Sequence, residues 1–557
     1  MYYRALPAST GQPTAGPRQG VVLLAVLVVL VLLSLAAYQY SELMTAEYKA
    51  ADSYARSVQA TALADSGIHY AAALLSNPDA VANTLNGNPY DNPSAFQAVL
   101  VNDADSPRAR GRFSILAPVD PGDSAGVQQA FRYGVVDEAG KINLNALFKL
   151  DSSGKIAHDV LLALPNMTED VVNAILDWLD PDSEPRLNGA ENDYYSTLSP
   201  PYHCKNGPLD SLEELLLVKG MTPQLLFGND HNRNGILDPE EDDGSGTLDR
   251  GLSAFLTVYS RELNLDSTGQ PRIYINDNNL DDLMSKLTET VGQELANYII
   301  AYRIYGPAST QSNSSSKPGS NSGGKPASGS GGSQGTPSGN SANKPSTGGG
   351  KAAGGSGRGG GGGTTGISRG SLNTRGGGQR RISSLYELVN SKVSIPSSDP
   401  NGQPTVYNSP LSDSSDLREL LPLLLDKVTT TQDTDIPGRV NINTAPQEVL
   451  AALPGLSSTD VQAIIGARPS PSSTEAPDPI FQTPAWLLTE ANFPPEKLRT
   501  LEKYITARTQ VYRVQALGYF DGGGPTARIE AVIDANGGRP RIIYWRNLTE
   551  LGKGFNP

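Results

Sequence analysis

The 557-residue sequence predicts an α+β chain with one long N-terminal helix, a small antiparallel sheet and a large inserted helical domain. Three observations predict it. Val21–Ala37 is apolar except for Ser34, and an Ala-rich stretch free of Gly and Pro follows as far as Gly67. Strand-like segments occupy residues 112–136 and return only at 510–545. Between them an Asn-bearing helical unit occurs three times, a self-similarity that marks one supersecondary element used repeatedly.

Taken in order, Val21–Tyr40 is just long enough to cross a bilayer as a helix. Arg4 and Arg18 before it predict a cytoplasmic leader and an exported body. Good helix formers then carry the same helix onward to about residue 75. After Asn77-Pro78, Arg112–Ala117 and Phe131–Val136 read as paired strands. Gln510–Tyr519, Ala527–Asp534 and Arg541–Trp545 read as three more, joined through GGGP and NGGRP turns. A sheet divided this way makes everything between its halves an insertion, a long one by ordinary loop lengths.

The first repeat copy is Lys141–Asn145 followed by Val160–Asp180. The middle copy is Arg272–Asn276 followed by Leu280–Arg303, and the clearest is Arg439–Ala445 (RVNINTA) followed by Glu448–Arg468. Each is an Asn-bearing start, a helix, a short turn and a second apolar helix. The unit resembles a helix-hairpin-helix or the related SAM-like fold. Its turns read Pro165–Thr168, Leu287–Thr290 and Pro454–Ser457, and only the last has a glycine. Glu169, Asp170 and Asp460 stand beside them, where they would repel a phosphate. With a formal net charge of −14, the chain is expected to have no nucleic acid as its main partner.

Residues 306–378 are dominated by Gly, Ser, Thr, Pro and Asn, a composition expected of a flexible surface linker. Cys204 is the only cysteine, so no internal disulfide forms. With four histidines, no defensible nucleophile–base order and no phosphate loop, nothing points to an enzyme.

The strongest site pattern is Asp230–Glu241, DHNRNGILDPEE. Asp230, Asn232, Asn234, Asp238 and Glu241 fall at positions one, three, five, nine and twelve of an EF-hand-type loop. Ile236 offers its carbonyl at seven, and Gly235 supplies the turn at six. Ca2+ suits this set because it takes hard oxygen ligands in a loose shell. A plain acidic loop held by Asx turns is the competing reading. A second acidic stretch carries Asp177, Asp180, Asp182, Glu184, Glu191 and Asp193 among turn residues. Ser211 and Glu214 fit a capping box opening a helix.

In a secretory signal peptide the cut follows the apolar run, whereas here Gly20 stands in front of it. That order resembles the class III leader of type IV pilins and pseudopilins, and implies cleavage between Gly20 and Val21. Ala25 would then occupy the fifth mature position, where most of that family carry glutamate. Its absence, together with DWLD, GAENDYY, LDSLEEL and the NINTA unit, resembles the K-type minor pseudopilin of type II secretion.

The resemblance implies a pilin-like spine helix and sheet, with leader 1–20, spine 21–75, first sheet part 76–136, helical domain 137–305, linker 306–378, second helical part 379–508 and closing strands 509–557. It also implies a methylated mature N-terminus, a single pass of the inner membrane and a periplasmic body. The function implied is a pseudopilus tip subunit that supports export of folded proteins across the outer membrane. Implied partners are the I- and J-type minor pseudopilins, the major pseudopilin and the prepilin peptidase. Calcium in the helical domain is implied as well, with the second acidic stretch a candidate ligand source. A membrane-anchored DNA-binding pilin is the alternative from another class, and a signal anchor or a signal peptide cut after Ser34-Leu35-Ala36 is the alternative reading of the leader.

Overall fold

The computed structural model describes residues 19–119, 131–151, 153–308, 366–397, 401–470, 478–552 and 554–555. The leader before residue 19 and linker residues 309–365 lie outside them, so the expectations for those segments are not met by any description. The chain forms two compact units, one of residues up to 275 with 383–387 and 414–557, the other of 276–382 with 388–413.

In the first unit, α1 (Gln19–Leu75) is a single 57-residue helix. At 1.5 Å per residue it is about 85 Å long. Residues 21–50 are exposed along its whole circumference, and the first fully buried position is Ala60. From there Leu63, Ala64, Ile68, Ala71, Ala72 and Leu75 recur at helical spacing and pack on a sheet. Its strands are β1 (Val99–Asn102), β2 (Gly111–Pro118), β3 (Phe131–Arg132), β4 (Val136–Asp137), β5 (Val511–Phe520), β6 (Ala527–Asp534) and β7 (Arg541–Asn547). The order is β1-β2-β5-β6-β7, with β3 beside β2 and β4 beside β5, all antiparallel.

The sheet is therefore split in sequence as expected, Gln515 facing Leu116 and Phe520 facing Gly111 across β5 and β2. One expectation needs correcting, and one strand is an addition. Phe131–Val136 is not one strand, because Gly134 passes so close to Tyr90 that a Cβ there would lie 1.9 Å from its carbonyl oxygen. That contact bends the segment into β3 and β4. The edge strand β1 was not expected at all.

The helical hairpins appear where the repeat predicts them. In the first unit they are α2 (Lys155–Leu162) with α3 (Glu169–Leu179), and a later pair, Gln447–Ala452 with Ser458–Ala467. Each start is a two-residue strand: Ile142–Asn143 pairs in parallel with Leu256–Thr257, and Val440–Asn441 with Ile505–Thr506. The amide of each start Asn holds a distant segment, Asn143 Nδ2 donating to Ser260 O at 2.6 Å and Asn441 Nδ2 to Asp137 Oδ2 at 2.8 Å.

In the second unit, the middle copy is the pair Leu280–Val291 and Gln293–Tyr305. The first of these helices runs past the expected turn at Leu287–Thr290 and stops at Gly292, whose φ of +85° suits glycine. Buried Arg303 donates to Asp277 O at 2.9 Å and Arg380 O at 3.1 Å, and Lys392–Ile395 pairs with Thr405–Asn408.

Candidate functional site

The six predicted metal residues lie on one loop of the first unit. A short helix, Pro223–Phe227, precedes it, and Gly228 at φ +64° turns the chain into it. Asp230 accepts from the Asn234 amide at 3.1 Å through Oδ1 and from the Gly235 amide at 2.9 Å through Oδ2. Asn232 Oδ1 accepts from Asn234 N at 2.9 Å, and Asn234 Oδ1 from Ile236 N at 2.7 Å. Asp238 Oδ2 accepts from both side-chain amides, Asn232 Nδ2 at 2.6 Å and Asn234 Nδ2 at 2.9 Å. Glu241 Oε1 closes the loop on the amides of His231 and Asn232, at 2.9 and 3.2 Å.

The donor set fits a hard cation. Asp230, Asn234 and Glu241 are buried, and burial together with the Glu241 charge pushes the Asp230 pKa up. Two buried carboxylates on one loop are the arrangement a divalent ion relieves, and the oxygen-only set matches Ca2+. Ile236 turns its side chain toward the sheet core, which leaves its backbone as the part available to the loop. No long helix pair flanks the loop; a 3-10 turn, Gly251–Ala254, follows it.

Of the second acidic stretch, the structure brings Asp180, Asp182 and Glu191 together, with ligand oxygens all within 4.8 Å of one another. Glu184 and Asp193 point to solvent elsewhere. Asp177, fully buried, instead organises the loop: it accepts from Ala190 N at 2.8 Å and from Arg186 Nη1 at 2.8 Å. Arg186 also binds Asp180 Oδ2. Asp180 Oδ1 and both oxygens of buried Glu191 have no hydrogen bond of ordinary geometry. Burial first, then the neighbouring carboxylates, raises both pKa values, against partial relief from Arg186 at Asp180 and from Cys204 and Asn206 at Glu191. Orphaned carboxylate oxygens of this kind also fit a bound cation.

The capping box does not form. Ser211 makes no side-chain cap bond, and Leu212–Leu217 is a 3-10 turn. Glu214 is occupied elsewhere, accepting from Trp178 Nε1 at 2.9 Å and Lys205 Nζ at 2.8 Å. A capping box forms instead at Ser457 and Asp460, where the last hairpin turns. Asp460 is also tied to Lys497, so its carboxylate serves the fold. Cys204 is buried, and burial pushes its thiol up to about 12, which leaves it inert at neutral pH.

What sequence reasoning missed is the far wall of the 230–241 loop. Arg528 on β6 donates to Asn232 O, Gln515 on β5 donates to Arg233 O at 3.0 Å, and Asn234 Nδ2 donates to Gly554 O at 2.5 Å. These residues lie some three hundred positions beyond the loop, and no local spacing announces them.

Comparison with known proteins gives a consistent picture. Residues 140–227 and 440–499 each match a family model described as type II secretion system (T2SS), protein K. The type II secretion system protein K of Klebsiella pneumoniae is 46% identical over 52 residues, 9% of this chain and 16% of that one. Its counterpart in Pectobacterium carotovorum is 30% identical over 115 residues, 19% of this chain and 35% of that one. In Dickeya chrysanthemi the figures are 41% over 61 residues, covering 11% and 16%. The aligned segments thus span about a third or less of these relatives. A solved GspK-GspI-GspJ complex from enterotoxigenic Escherichia coli aligns over 90% of this chain and 99% of its own, at 11% identity and a TM-score of 0.36, a likeness too slight to build on.

Proposed function

We propose that this chain is a member of the type II secretion system protein K family and a minor pseudopilin of the type II secretion pseudopilus, at or near its tip. The observation that carries the reading is the division of α1. Its first thirty residues from Val21 bury nothing within the chain, while its last turns are the core of the sheet. A helix half free and half packed suits a subunit held in a membrane and then bundled with other helices of the same kind. In this reading Val21–Tyr40 holds the protein in the inner membrane and the body lies in the periplasm. Partners are the I- and J-type minor pseudopilins and the major pseudopilin, and the prepilin peptidase cuts between Gly20 and Val21. The bulky inserted helices leave little room for a further subunit above it, and Ala25 offers no carboxylate to one.

Ca2+ is part of the proposal. Asp230, Asn232, Asn234, Asp238 and Glu241, with the Ile236 carbonyl, would hold it. When bound, the ion supplies positive charge that ionises the buried carboxylates and stabilises the folded loop by mass action.

Mass spectrometry of the protein from membranes tests the main reading. The expected mature chain begins at N-methylated Val21. A start after Ala36 or Ala37, or an intact leader, would overturn it.

A further inference from the structure

The tip of the cation loop and the C-terminal tail share their contacts. Asn234 spends one side-chain amide on both: Nδ2 donates to Asp238 Oδ2 at 2.9 Å within the loop and to Gly554 O at 2.5 Å in the tail. Arg528 on β6 is 1% exposed, and it too serves both. Its guanidinium donates to Asn232 O and lies 5.9 Å from the Phe555 ring, while Nε and Nη1 have no partner among the described residues. A Cβ at Gly554 would sit 1.9 Å from Arg528 Nη1, and Gly554 has φ +73°. Only glycine lets the chain cross the guanidinium there.

Beyond that crossing, Phe555 is 2% exposed and meets Phe131 edge-on at 5.7 Å between ring centroids. Ile236 packs against the same core. The tail belongs to no strand, and among the described residues its backbone is held by the amide of Asn234. A tail fixed by one loop residue and one buried ring has the stability of that loop. Asp230 and Glu241 are both buried on this loop and are held by backbone amides, so the loop is least secure when it holds no ion.

We infer that residues 232–236 and the tail at Gly554–Phe555 form a cation-dependent latch: an ion at the 230–241 loop fixes Asn234 and Asn232, and these dock the C-terminus over Arg528 and Phe131. Removing the ion frees the tail and uncovers an apolar socket on the sheet. The inference rests on the calcium reading above and adds its consequence for the C-terminus.

Hydrogen–deuterium exchange on the full chain in detergent micelles, with Ca2+ or with excess EGTA, tests it alongside a direct count of bound Ca2+. Glu241→Gln serves as the loop control and Phe555→Ala as the tail control. EGTA is expected to speed exchange in the peptide covering 552–557 by about tenfold or more, the scale of ordinary coupling between sites, while β5 and β7 stay protected. Glu241→Gln should show the fast tail even with Ca2+ present. Phe555→Ala should weaken Ca2+ binding at the loop several-fold, since coupling is reciprocal. If Ca2+ binds and the tail exchanges equally fast with EGTA, the latch is wrong and the calcium reading stands. If no Ca2+ binds, the calcium reading falls and takes the latch with it. Loss of protection throughout the sheet would also overturn the latch, because the tail would then only follow global unfolding.

Discussion

Glu138 shows how one residue holds the seam between the sheet and the inserted helices of the first unit. Its side chain is fully buried, yet three neighbours answer it: Arg513 Nε donates at 2.6 Å, Lys141 lies at 3.5 Å, and Thr257 donates to the second oxygen. Burial by itself would raise the carboxyl pKa. The charges of Arg513 and Lys141, with the hydrogen bonds, outweigh burial and hold it at about 2 against an ordinary 4.5. A depressed carboxylate contributes stability above its unfolded pKa and loses it as pH falls toward the folded one. That interval, from about 4.5 down to about 2, carries roughly 3 kcal/mol. Glu138→Gln should cost about 3 kcal/mol at pH 7, since it removes the buried charge opposite Arg513 and Lys141, which keep, among the described residues, only Glu530 at 2.8 Å and the Ser253 carbonyl at 3.1 Å. It should also flatten this part of the acid limb. Thermal unfolding of wild type and variant in micelles at pH 7 and pH 3 checks both statements, and an equal fall in Tm with acid in the two proteins would contradict them.

Among elements, the packing of α1 on the sheet is set by missing side chains. Gly518 is buried on β5, and a Cβ there would lie 2.2 Å from Ala60 O and 2.6 Å from Ala64 N. Gly67 answers from the helix, where an added Cβ would come within 2.9 Å of the Phe113 ring. Backbone cannot step aside as a flexible side chain can, so Gly518→Ala must lift the helix from the strand. It is expected to cost about 3 kcal/mol or more, as overpacking of a tight core does. Gly67→Ala meets a ring that can tilt and should cost less. Urea midpoints of the two variants give the order, and a milder Gly518→Ala would refute the argument. Much of this architecture was legible in the sequence. β5, β6 and β7 are strand-like runs separated by the GGGP and NGGRP turns, and the hairpins declare themselves by their repeat. The pattern of the 230–241 loop was legible because its candidate ligands come from twelve consecutive residues. What stayed hidden was decided by distant partners. Tyr90 splits Phe131–Val136, Trp178 and Lys205 take Glu214 away from its cap, and Arg528 and Gln515 form the loop's other wall.

At the scale of the whole molecule, the two halves of α1 answer to different environments. The exposed apolar positions from Val21 to Leu43 are packed by nothing within the first unit and contribute nothing to its fold. That unit begins to hold the helix only near residue 52, where Asp52 meets Arg108 at 2.5 Å and Arg56 donates to Gly523 O at 2.6 Å. The separation predicts where the chain can be cut. A protein starting at residue 51 should be soluble without detergent and keep the unit's unfolding free energy within about 0.5 kcal/mol, because the removed surface touches none of its core. Starting at residue 66 instead removes Ala60, Leu63 and Ala64 from the face they share with β5. Truncating one buried leucine costs about 2–5 kcal/mol, so losing the whole turn should exceed the margin of a normal domain. Size-exclusion chromatography and urea titration of the two truncated proteins decide the matter. If the longer one aggregates or unfolds, the exposed half of α1 is part of the fold, and the division on which the pseudopilin reading stands is lost.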